Sequence, residues 1–408
     1  MKVRRDITSD LVQALVARFD PTALELDRPA RVRLAVDGDG AWDALIGPDG
    51  VRRLESPGEA RPDTLLRADR ATWERIARDL RGGMDAFRAR RLRIRHNLSL
   101  GVGFLAATSG NAGPGRLRFR RLRTRRGTLS VVEAGVGPPL VLLHGLGGTK
   151  VSFLPTIAAL GARHRMVAVD LPGFGDSDKP LGPYDPPFLA RWGIAALDAL
   201  ELERTHLLGH SLGGRVALQV AFDQPGRIDA LVLMTPSLAW LRERRWTSWL
   251  RVLRPELGLL QPTPRALVEP VVRRLIPGAS GDGWAAAAVD EFLRGYLTPR
   301  GRQAFYAAAR NVYLEDPESF WSKLRALAPD SLFIWGRHDP MVPIGFMRHV
   351  QAALPSARHV ELDCGHIPQL EAPAQAHRAI AQFLAQHAPA KRRRPHGSAG
   401  DGRLATRS

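Results

Sequence analysis

A single cysteine, Cys364, stands in 408 residues, which excludes any internal disulfide framework and fits a reducing compartment. Lysine is almost as scarce, with five residues among 59 basic side chains. No run reaches the 18 or so apolar residues that a membrane span needs. At the N-terminus, Asp6, Asp10, Gln13 and Arg18 interrupt the segment where a secretory signal would carry an unbroken apolar core, so the expected location is cytoplasmic. Histidines and carboxylates do not cluster at metal-ligand spacing, so no metal is expected. The glycine-rich stretch His144-Gly145-Leu146-Gly147-Gly148 lacks the spacing of a phosphate loop or a dinucleotide fingerprint, so no cofactor is expected either.

Hydrophobic residues make up 44% of the chain, enough for packed cores, and the length favours two folded units. The net charge is +18. Such charge invites a nucleic-acid or anionic-membrane reading. Because it is almost all arginine, a bias that genome composition produces, most of it reads as a solvated surface, and nucleic acid is not an expected partner.

The clearest internal break is Ser109 to Gly115 (SGNAGPG), small turn-forming residues without periodicity. It divides a first unit, 1–108, from a second, 116–388, and residues 389–408 read as a disordered basic tail. In the first unit, Leu11, Val12, Leu15, Val16 and Phe19 fall at helical spacing. Strand-like runs at 31–36, 41–46, 51–55 and 64–67 follow, broken by Asp37-Gly38, Asp39-Gly40 and Asp49-Gly50. A second helix covers Ala71 to Ile76, and Leu92, Ile94, Leu98 and Leu100 alternate with polar neighbours. The pattern predicts a small antiparallel sheet with helices. RVRLAVDGDGAWDALIG, DTLLRADRATWERIARDL and AFRARRLRIRHNLSL follow in an order that resembles the sterol-carrier-protein-2 family. That resemblance implies a lipid or fatty-acyl chain held in an apolar tunnel.

The second unit alternates strands and helices, the signature of a mostly parallel sheet covered on both faces. Short apolar runs lie at 129–134, 140–143, 166–169, 206–208, 230–234, 331–335 and 358–362. The arginine-dense segment 116–126 reads in part as a charged edge strand.

Gly209-His210-Ser211-Leu212-Gly213 follows one of these strands and precedes a helical run. This is the G-x-S-x-G elbow, whose glycines admit a turn sharp enough to present the serine hydroxyl above the sheet. Serine needs a base to take its proton. His366, in the loop after the strand 358–362, is the candidate, with His338 and His359 as rivals. The base needs an acid to orient it, and Asp339 lies just past the strand 331–335. The HGLGG stretch can aim backbone N–H groups at a developing oxyanion, with the N–H groups of Leu146 and Leu212 as the expected donors.

Together these residues resemble the α/β-hydrolase superfamily over about 270 residues, and the order Ser211, Asp339, His366 is the one expected there. Leu171 to Ser177 (LPGFGDS) adds to the match and implies a floor to the site. Serine at the elbow disfavours the dehalogenases and epoxide hydrolases of this fold, which carry aspartate. Residues 237–325 fall where that family inserts its cap, and they hold Trp240, Trp246, Trp249, Trp284 and Trp321, with Arg242, Arg244, Arg245, Arg251 and Arg254. Such composition suits an apolar substrate, and a basic aromatic helix can also touch an anionic membrane. The expected function is hydrolysis of an ester or thioester of a lipophilic acid. A carbon–carbon bond hydrolase, an acyltransferase and a non-catalytic lipid carrier are the alternatives.

Overall fold

Each of the two strand-rich stretches builds its own sheet in the computed structural model, which describes residues 7–53, 56–78, 86–87, 89–110, 113–238, 254–260, 263–275, 284–313 and 316–387. The first sheet follows helix α1 (Ile7–Val16) and holds β1 (Ala30–Val36), β2 (Gly40–Gly47), β3 (Gly50–Arg53), β4 (Thr64–Ala68) and, after helix α2 (Arg70–Arg78), β5 (Leu92–Arg95). Its order is β3-β2-β1-β4-β5. Alternation sets its faces: β1 buries Ala30, Val32, Leu34 and Val36, while the residues between stay half-exposed.

Two expectations fail here. The sheet is mixed, because β1 and β4 run parallel, Val32 opposite Thr64. After the β1-β2-β3 meander the chain recrosses to the start of β1, where Asp63 and Arg31 exchange hydrogen bonds of 3.0 and 2.8 Å. Having returned to that end, β4 can only run in the direction of β1. The alternation seen as far as Leu100 also stops at Arg95. The Asn97 side chain accepts from the Leu100 N–H at 2.9 Å and caps helix α3 (Leu98–Ala107), which is buried almost throughout. An unbroken apolar run carries no periodicity that separates a buried helix from a strand.

The second sheet comprises β6 (Arg118–Thr124), β7 (Gly127–Ala134), β8 (Pro139–Leu143), β9 (Arg165–Val169), β10 (Thr205–His210), β11 (Ile228–Met234), β12 (Ser331–Gly336) and β13 (Arg358–Leu362). The order is β13-β12-β11-β10-β8-β9-β7-β6, parallel from β13 to β9 and antiparallel at β7 and β6. The arginine-dense β6 is the edge strand. Every residue of β10 and β12 is buried, as a sheet covered on both faces requires. Helices α4 (Leu154–Leu160), α5 (Pro186–Ala199) and α6 (Leu212–Asp223) connect strands. Between β11 and β12 come a short helix at Leu257–Leu260 and then α7 (Arg265–Leu275), α8 (Trp284–Tyr296), α9 (Pro299–Tyr313) and α10 (Pro317–Arg325). Helices α11 (Met347–Ala353) and α12 (Pro373–Ala385) close the described chain. The α/β fold class read from the sequence is borne out.

The two sheets share one core. Leu24 bridges to Phe119, and buried residues run without a break from Val12 and Val32 to Val132 and Leu140. Charged groups tie the first unit to α8: Arg95 Nε lies 2.7 Å from Asp290, the His96 N–H donates to the same carboxylate at 3.0 Å, and the Leu98 N–H donates to Glu291 at 3.1 Å. Asp290 is buried and also pairs with Arg265. Residues 111 and 112 of the Ser109–Gly115 break, and the tail 389–408, lie outside the described residues.

Candidate active site

The C-terminal ends of the buried strands converge on Ser211. Strand β10 delivers it and α6 starts at the next residue, so the chain reverses within one residue and Ser211 takes φ 52°, ψ −115°. This left-handed backbone is rare for a side chain larger than glycine and stores about 1–3 kcal/mol of strain. The flanking glycines have no alternative: a Cβ on Gly209 would collide with the Gly213 carbonyl, and one on Gly213 with the Leu143 carbonyl.

Two loops bring the partners. The loop after β13 carries His366, whose Nε2 lies 3.0 Å from Ser211 Oγ. The loop after β12 carries Asp339, whose Oδ2 lies 2.8 Å from His366 Nδ1. The other Asp339 oxygen accepts from the Met341 and Val342 N–H groups at 2.7 and 2.9 Å, which fixes the buried carboxylate in place. The structure thus brings together the three residues that the sequence singled out. Among the described residues, neither the Leu146 nor the Leu212 N–H makes a hydrogen bond. The rivals stand elsewhere: His338 pairs with Asp363 at 2.7 Å, and His359 accepts from Trp335 Nε1 at 3.0 Å.

Further residues, none of them named as site residues from the sequence, hold this arrangement. The His366 carbonyl accepts from His210 Nε2 at 2.8 Å and from Thr235 Oγ1 at 2.9 Å. The oxyanion-side loop is held by buried His144, which donates from Nδ1 to the Gly145 carbonyl at 2.8 Å and accepts the Leu171 N–H at Nε2 at 2.9 Å. Burial keeps His144 below the ordinary histidine pKa, so it acts as a neutral brace. Beneath it, buried Lys150 Nζ lies 2.7 Å from Asp170 and 3.1 Å from Asp176, and Arg294 of α8 reaches Asp176 at 2.6 Å. Burial alone would raise the Asp176 carboxyl, but Arg294 and Lys150 outweigh it and hold it well below the carboxylate range. A second hydroxyl, Ser237 Oγ, sits 3.5 Å from Ser211 Oγ. A lysine just after a glycine-rich loop, followed by two aspartates near LPGFGDS, was the available signal for the floor.

The cap helices pack over this end. Trp321 is half-buried and meets Phe320 edge-on. Trp240, Trp246, Trp249, Arg242, Arg244, Arg245 and Arg251 lie outside the described residues, and Arg254 is exposed. Among the described residues no helix is long and apolar enough to cross a membrane.

Burial also predicts an acid sensitivity. It pushes His210 down to about 3, with the neighbouring His366 adding to the shift, and His206 down to about 4. Unfolding frees both to protonate near the ordinary value of about 6.5. The unfolded chain therefore binds more protons below that value, and stability falls as pH falls through the window from about 6.5 to 4. With both histidines contributing, the loss is about 2.5 kcal/mol per pH unit between pH 5.5 and 4.5. Urea unfolding at pH 6.5, 5.5 and 4.5 measures it, and a flat profile contradicts neutral burial.

Residues 138–373 match the family described as the alpha/beta hydrolase fold. A pimeloyl-[acyl-carrier protein] methyl ester esterase from Aeromonas hydrophila is 32% identical over 263 residues, 63% of this chain and 99% of that protein. The crystal structure of a hydrolase from Pseudomonas aeruginosa superposes with a TM-score of 0.51 at 27% identity, covering 67% of this chain and 99% of that one. An enol-lactonase from Burkholderia xenovorans gives a TM-score of 0.56 at 22% identity over 65% of this chain and the whole of that one, which is a likeness of fold.

Proposed function

The chain belongs to the alpha/beta hydrolase fold family, and we propose that within it this hydrolase is a serine enzyme cleaving an ester or thioester of a lipophilic acid through an acyl-enzyme. The observation that carries the proposal is the unbroken hydrogen-bonded line Ser211 Oγ–His366 Nε2 and His366 Nδ1–Asp339 Oδ2. Ser211 Oγ attacks the carbonyl carbon while His366 Nε2 takes its proton, and Asp339 stabilises the imidazolium. The oxyanion forms toward the Leu146 and Leu212 N–H groups. Collapse expels the alcohol or thiol, which leaves with the proton from Nε2. Water, deprotonated by His366, then attacks the acyl-enzyme and releases the acid.

Ester chemistry is supported by the esterase relative from Aeromonas, which aligns over nearly its whole length. The remaining parts of the proposal follow the sequence. Residues 1–108 form a sterol-carrier-protein-2-like unit that presents a lipophilic ligand, residues 116–388 form the catalytic unit, and the cap at 237–325 rests peripherally on anionic membrane from the cytoplasmic side.

Incubation with a fluorophosphonate probe, digestion and mass mapping test the nucleophile. One labelled peptide is expected, carrying Ser211. Labelling at another residue, or none, would overturn the assignment.

A further inference from the structure

A cavity of about 590 Å³ opens where the first unit, the sheet and α8 meet, a size typical of small-molecule sites. Ser211 and His366 are not in its lining, but Gly147 of the oxyanion-side loop is. Its outer rim is made of exposed small residues on two helices, Ala158 and Ala159 of α4 and Pro373 and Ala374 of α12. Its inner walls include Phe87 and Leu98 of the first unit and Phe292 of α8. The space therefore reaches from the surface to Gly147 of the HGLGG loop, and the first unit supplies part of its wall.

The polar groups define what fits. Among the described residues no lysine or arginine lines the cavity, so these walls offer a carboxylate or phosphate no counter-ion. Glu291 is occupied by the Leu98 N–H and by Arg294, and His377 Nε2 lies 3.1 Å from Thr156 Oγ1. Gln369 differs. It is wholly buried, lines the cavity, and neither its Nε2 nor its Oε1 has a hydrogen-bond partner among the described residues. A buried amide left unpaired destabilises the fold unless something pairs with it.

We infer that this cavity binds the apolar chain of an uncharged acyl compound, with the Gln369 amide pairing to a neutral carbonyl or hydroxyl on it. The inference rests on the hydrolase reading for its substrate class. It moves the lipophilic site from a tunnel inside the first unit to the seam between the units.

The test uses the full chain carrying Ser211→Ala, so that no ester is consumed. It is titrated with diphenylhexatriene, a hydrocarbon dye, which is then displaced by methyl decanoate or by decanoate ion. One saturable site is expected, emptied by the ester and not by the anion at equal concentration. Ala158→Trp with Ala374→Trp, both at exposed helical positions, should weaken dye binding at least tenfold. Gln369→Leu should raise Tm and cut the affinity for methyl decanoate relative to the dye at least fivefold. Unweakened dye binding in the tryptophan variant overturns the site. A lowered Tm or an unchanged affinity ratio in Gln369→Leu overturns the ligand class. Saturable dye binding by a chain whose Ser211 form neither labels nor hydrolyses esters would sink the hydrolase reading and leave the site standing.

Discussion

Ser211→Ala is expected to lower kcat for a p-nitrophenyl ester by about 10⁶, leaving roughly 10³–10⁴ over the rate in water. The residue that remains keeps its Cβ, so the tight turn between β10 and α6 is undisturbed, and the proposed oxyanion donors, the N–H groups of Leu146 and Leu212, are retained. What disappears is the covalent path, because no other group can take the carbonyl from that position. The nearest competitor is Ser237, whose hydroxyl lies 3.5 Å from that of Ser211. A loss of only tenfold would point to it, and the double variant Ser211→Ala/Ser237→Ala separates the two. Unchanged thermal unfolding of the single variant shows that the loss is chemical.

Asp339→Asn should lower kcat by about 10⁴, and the reason is visible in the hydrogen bonds. One carboxylate oxygen accepts two backbone N–H groups, from Met341 and Val342. An asparagine must keep its carbonyl oxygen there, since turning the amide would set N–H against N–H. Its NH₂ group is then forced toward His366 Nδ1, which must accept. That drives the imidazole proton to Nε2, the nitrogen that has to receive the proton of Ser211. The variant should therefore fold and bind substrate with little change in KM while kcat collapses. Activity near that of the parent would mean that another carboxylate orients His366, and a loss of stability matching the loss of kcat would mean that Asp339 acts by holding the fold.

How much of this could be read in advance depended on range. Strands β8 to β12 were legible because a sheet covered on both faces asks for short, mainly apolar runs, and those runs stand close to glycine, proline and aspartate. Ser211, Asp339 and His366 were legible because each lies in the loop or turn that ends such a run. The mixed pairing of β1 with β4 was not, because a strand's apolar pattern is the same whichever way its neighbour runs. Helix α3 was hidden by its own burial. The braces were hidden by distance: His210 meets the carbonyl of a residue 156 positions later, and Arg294 meets Asp176 118 positions away. Such pairs are set by packing and leave no local spacing. Gln369 was silent for a further reason, since an amide without a partner has no signature in sequence at all.

Residues 290 to 292 on α8 form a short linkage with two ends. On one side Asp290 accepts from the Arg95 side chain and the His96 N–H, and Glu291 accepts from the Leu98 N–H. On the other the Phe292 ring lies so close to Gly147 that a methyl group there would overlap it. Gly147 neighbours Leu146, whose N–H is the proposed oxyanion donor. Three consecutive residues thus touch the end of β5 on one side and the HGLGG loop on the other. One turn of a single helix therefore serves as a shared footing for the first sheet and for the loop beside the nucleophile.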